Sequence, residues 1–75
     1  MNKTKFITVV YFLAFNRPLK ASFEDNHPIM RYTLKRRINL ICNSALILKI
    51  ETYEAQLVNT EVLNKEEWDK SQTIK

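Results

Sequence analysis

Four cations fall within seven residues: Arg31, Lys35, Arg36 and Arg37. On a helix this cluster can grip a phosphate backbone, enter a major groove, or meet an acidic protein surface. No acid stands four residues away to pair with it. The bland alternative is a solvated outer helix face. A helix-turn-helix needs a second helix upstream, and strand-like sequence occupies that place. Tyr11, Phe12 and Phe15 offer rings for stacking, without the aromatic pattern of an RNA-recognition motif.

The other reactive side chains are sparse. His27 is the only histidine, and it stands before Pro28 with no assembled nucleophile and orienting carboxylate. Its reading is structural or solvent-exposed. Cys42 is the single cysteine, so no intrachain disulfide can form. A helix C-terminus also disfavours a thiolate, which makes Cys42 a small apolar residue. Glu51, Glu54, Glu61, Glu66, Glu67 and Asp69 lack any calcium-loop spacing and a turn glycine. They read as a solvated surface, or one that pairs with the basic helix. Trp68, a residue type enriched at binding hot spots, belongs to the core or to an interface. The partner-binding candidates are therefore Arg31, Lys35, Arg36, Arg37, Tyr11 and Trp68. No catalytic, metal or cofactor residues are assigned, and the expectation is a protein that is not an enzyme.

Composition sharpens these exclusions. The 75 residues contain no glycine, where about 7% is average. Gly-rich phosphate cradles, dinucleotide fingerprints and nucleophile elbows are all ruled out. The net charge of +4 is unevenly spread. Residues 1–50 hold nine cations and two acids, and residues 51–75 hold three cations and six acids. The two halves can pair with each other or face different partners.

The element that must position these residues is Phe6–Phe15. It is β-branched and aromatic and carries no charge. Phe6, Thr8, Val10, Phe12 and Ala14 share one face, and Ile7, Val9, Tyr11, Leu13 and Phe15 the other. Both faces require cover. The preceding Lys3 and Lys5 suggest a secretory leader, but Arg17, Pro18 and Lys20 follow directly and no small-residue cleavage pattern does. The run is too short to span a bilayer as a helix. The expected location is the cytoplasm, which suits the lone cysteine.

Asn16-Arg17-Pro18 reads as a turn, and Leu19–Glu24 as a returning strand with Leu19, Ala21 and Phe23 inward. Asp25 or Asn26 can cap a helix that enters at Pro28. That helix is expected over His27–Cys42, with Met30, Leu34, Ile38, Ile41 and Ala45 as its apolar stripe and Asn43 in the left-handed position after it. Leu46–Tyr53 is a strand with Leu46, Leu48 and Ile50 on one side and Ile47, Lys49 and Glu51 on the other. Gln56–Leu63 reads as a further strand, with a helix through Glu51–Leu63 as the competing reading. Asn64 caps a short helix over 64–71, and residues 72–75 fray.

The resulting expectation is a single α+β domain over 1–75, with a small antiparallel sheet packed on one long amphipathic helix in the order β-β-α-β-(β)-α. A chain of this length buries only about 60% of its unfolded surface, so partner binding or homodimerisation would support it. The second face of Phe6–Phe15 is left with too little cover, which predicts an exposed apolar patch.

The layout of Lys3–Val10 opening a hairpin, a central helix at 27–43 and then Leu46–Ile50 resembles small phage-encoded anti-defence proteins. These include Dmd-like antitoxins and anti-CRISPR inhibitors. The resemblance covers residues 3–53 and is one of layout, so no functional residue is carried over. It implies a non-enzymatic protein that inhibits a host protein or protein–nucleic acid complex. The alternative is a nucleic-acid-binding protein that uses the basic helix face. No membrane role is implied.

Overall fold

The computed structural model describes residues 5–73. Its elements run β1 (Phe6–Ala14), β2 (Arg17–Asp25), α1 (Arg31–Ile41), β3 (Leu46–Glu54), β4 (Gln56–Val62) and α2 (Lys65–Thr73). The four strands form one antiparallel sheet in the order β2-β1-β3-β4. The fold is α+β, as the patterning implies, and residues 56–62 are strand rather than helix.

The uncharged strand takes the centre of the sheet, as its two apolar faces require. Thr8, Val10, Phe12 and Ala14 of β1 are buried on the α1 side. Register places Phe23, Ala21 and Leu19 of β2 opposite Thr8, Val10 and Phe12. Opposed residues in an antiparallel pair share a face, so these three join the core against Leu34 and Ile38 of α1. The β1–β2 loop is only Phe15-Asn16, both at positive φ (54° and 60°). That is the conformation of a two-residue hairpin turn matched to strand twist.

The helix is shorter than the sequence pattern implies. It begins at Arg31, after an extended Met30, and not at His27. The cause is β2, which pairs with β1 as far as Asp25↔Phe6. Residues 26–30 must then carry the chain from the sheet edge onto its face. Asp25 caps no helix; its Oδ1 accepts the Asn26 backbone N–H at 2.7 Å. The apolar stripe also narrows to Leu34 and Ile38, because Met30 and Ile41 are exposed. At the far end Ser44, not Asn43, takes the left-handed conformation, at φ 80°.

β3 departs from simple alternation. Tyr11 pairs with Lys49, but Phe12 pairs with Ile47, so Leu48 is an extra residue on β3. This bulge moves Ile47 to the α1 side beside Ile50, away from the face that holds Lys49 and Glu51. Leu48 is fully buried yet lies outside the α1-side cluster. Its carbonyl accepts the backbone N–H groups of Leu63 (2.9 Å) and Asn64 (3.2 Å). The start of α2 is thereby fixed to the middle of the sheet. Asn64 Oδ1 accepts the Glu67 N–H at 3.3 Å, the expected cap.

Candidate functional site

The six sequence-derived candidates divide between the two faces of the sheet. The four cations lie on α1, and Tyr11 and Trp68 lie opposite.

The cations on α1 do not form one patch. Arg31 is ion-paired with Glu61 of β4, which ties the helix to the sheet edge. Arg31 and Lys35, with Asn39, Ala45, Leu63 and Asn64, line a groove of about 500 Å³ between helix and sheet. On the other flank the Arg37 guanidinium carbon lies 5.5 Å from the centre of the Phe23 ring. Arg36 points outward, 5.9 Å from the Tyr32 ring centre. Tyr32, Arg36 and Leu40 follow i, i+4, i+8 spacing and therefore share the ridge away from Leu34 and Ile38. Tyr32 is 68% exposed and Leu40 is 88% exposed. Ile41, next in sequence, is exposed as well. Sequence periodicity assigned this helix an inner stripe only. The outer apolar residues were visible as Tyr32 and Leu40 standing among cations.

The opposite face carries a more tightly organised cluster. Tyr11 and Trp68 meet edge to face, with ring centres 5.1 Å apart. The Lys49 ammonium lies 4.5 Å from the Trp68 ring centre and 5.6 Å from that of Tyr11. Lys49 also contacts Glu51 Oε2 at 3.0 Å. The other Glu51 oxygen accepts hydrogen bonds from the hydroxyls of Tyr11 (2.9 Å) and Tyr53 (3.0 Å). Glu51 is only 7% exposed. Its burial alone would raise the carboxyl pKa, but the bonds from Lys49, Tyr11 and Tyr53 outweigh it and hold the group below its ordinary value. The same bonds raise both phenols: Glu51 as acceptor is the larger cause and burial the second.

Sequence reading found Tyr11 and Trp68 here but missed Lys49, Glu51 and Tyr53. Their period-two spacing on β3 was legible. The spacing does not reveal that strand register sets Lys49 beside Tyr11, or that α2 brings Trp68 onto the same face.

The remaining candidates are isolated. His27 is exposed in the β2–α1 connection, 3.8 Å from Asp25. Cys42 is half-buried at the end of α1. Among the described residues, no group of three or more His, Cys, Asp or Glu could hold a metal ion. Among them too, no helix is long and apolar enough to cross a membrane. No family model matches the chain, and neither does any curated protein or solved structure.

Proposed function

We propose that this chain is a small non-enzymatic binding protein whose α1 docks on a partner protein and blocks or modulates it. The observation that carries this reading is the outer ridge Tyr32–Arg36–Leu40. A leucine that is 88% exposed contributes little to folding. It stands on a helix with four cations and no acid. Helices that enter grooves use apolar anchors at this spacing, and the flanking cations select a groove with an acidic rim. The likeness of layout to phage anti-defence inhibitors supports a host macromolecule in the host cytoplasm as that partner. Nucleic acid is the second reading for α1, favoured by Arg36, exposed on its outer side, and by Lys35, exposed on the flank that borders the groove. Exposed Leu40 and Ile41 have no use against a phosphate backbone, so protein is preferred.

The test is affinity capture from host lysate, with and without nuclease, comparing wild type with a Tyr32→Ala/Leu40→Ala variant. A partner that survives nuclease and is lost with the variant supports the reading. Capture that disappears with nuclease moves α1 to nucleic acid. Capture that both treatments leave unchanged overturns the role of α1.

A further inference from the structure

The face opposite α1 contains a trough of about 530 Å³, within the range of small-ligand sites. Its floor is Tyr11. One wall is Pro18, Leu19 and Lys20 of β2, and the other is Trp68, Ser71 and Gln72 of α2. Register explains the floor, because Lys20, Tyr11 and Lys49 stand side by side across β2, β1 and β3. The lining holds two aromatic rings and two lysines, and no acid. The Glu51 carboxylate next to it is already engaged by Lys49 and two tyrosine hydroxyls. It cancels roughly the charge of Lys49 and leaves that of Lys20. The exposed Lys20 ammonium is 6.0 Å from the Tyr11 ring centre, far enough to swing onto an anion and leave the ring accessible.

We infer that this trough holds one nucleotide unit of a single-stranded nucleic acid, its base stacked on the Tyr11 ring beside Trp68 and its phosphodiester on Lys20. Bases stack on aromatic side chains in a sequence-tolerant way, and a cationic rim tracks the backbone. A phosphodiester carries a single negative charge, which matches the one uncompensated lysine. An acidic peptide would satisfy Lys20 but leave the rings without a flat partner. A large basic patch would grip several phosphates, whereas this site grips one. Its salt dependence is accordingly shallow, with a slope of about −0.7 in log K against log salt.

Trp68 is the only tryptophan, so its fluorescence reports directly on the trough. Wild-type protein is titrated with short oligothymidylate, short oligouridylate, free thymidine and uridine monophosphates, and polyglutamate. The expected result is saturable quenching by the oligonucleotides, and weaker or no quenching by the monophosphates and polyglutamate. Lys20→Glu and Gln72→Glu, both at exposed wall positions, should each weaken binding about fivefold or more, since a repelling charge replaces an attractive or neutral group. Lys35→Glu/Arg36→Glu on the far side of the sheet should leave binding within about twofold. The inference is overturned by absence of quenching at low salt, by equal quenching with polyglutamate, or by quenching that follows the α1 variant and not the trough variants. Monophosphates that bind as tightly as the strands would overturn the assignment to a strand.

Discussion

The Tyr11 hydroxyl donates to Glu51 Oε1 at 2.9 Å, bridging the two central strands diagonally on the face away from α1. Tyr53 donates to the same oxygen, and Lys49 holds the other. A nearly buried carboxylate is thus satisfied without any backbone donor. Its ionisation is built into the packing of that face.

Acid should therefore loosen the protein through Glu51. The folded-state pKa lies below the ordinary 4.5. The cluster's stabilisation is fully present above that ordinary value and is lost as pH falls through the lowered one. Urea midpoints measured down through the acid range should drop there. Glu51→Gln should flatten that limb and lower stability at neutral pH by roughly 1–3 kcal/mol, as loss of a charged hydrogen-bond acceptor does.

Alkali should act through the phenols with the opposite sign. Tyr11 and Tyr53 have folded-state pKa values above the ordinary 10.0. The stabilisation they provide is complete below that value and is lost as pH rises through the raised ones. Ultraviolet titration of tyrosinate should place two tyrosines above 10.0. Glu51→Gln should bring both back toward it.

The two ridges of α1 should separate stability from binding. Leu34→Ala removes a fully buried side chain and should cost about 2–4 kcal/mol, enough to threaten so small a fold. Leu40→Ala should change stability by no more than about 0.5 kcal/mol while weakening capture of a partner. Thermal melts alongside the capture assay would reveal the split.

The hairpin turn holds Phe15 at φ 54°, a conformation that costs an ordinary L-residue roughly 1–2 kcal/mol. The residue is 77% exposed, so little burial offsets that cost. Phe15→Asn should raise the denaturation midpoint by an amount equivalent to about 1 kcal/mol. An unchanged or lowered midpoint would mean that the ring has contacts which matter.

Thr8 has a fully buried hydroxyl with no hydrogen-bond partner in the core formed with Val10 and Phe12. Thr8→Val keeps the shape and removes the unsatisfied group. Chemical denaturation should register a gain of about 1–2 kcal/mol.

Much of this architecture is readable from residue patterns. The uncharged Phe6–Ala14 run had to be central. The alternation of Leu19, Ala21 and Phe23 placed β2 on an edge with one wet face, and Asn64 marked the start of α2. The misplaced helix start has a definite cause. Asp25-Asn26 with Pro28 carries good capping chemistry, yet strand pairing through Asp25 claims the first of those residues. Local sequence cannot weigh a cap against a ladder bond formed with a residue nineteen positions earlier. The same limit hid the Glu51 cluster: Lys49, Glu51 and Tyr53 alternate onto one face, but only the register between β1 and β3 sets Tyr11 beside them. Tyr11 and Trp68 were each noticeable by residue type. Their meeting depends on the Leu48 carbonyl seating α2, which no spacing rule encodes.

That seating has a consequence for how the molecule can be used. The Tyr32–Leu40 ridge and the Trp68 trough are separated by the thickness of the sheet, so neither ligand would obstruct the other. A protein docked on α1 and a strand held at Tyr11 could be carried together, and the chain would then act as an adaptor that brings them into proximity. Selection could also remodel one surface without disturbing the other. Its small size would then hold two independent contacts in a single layer of strands.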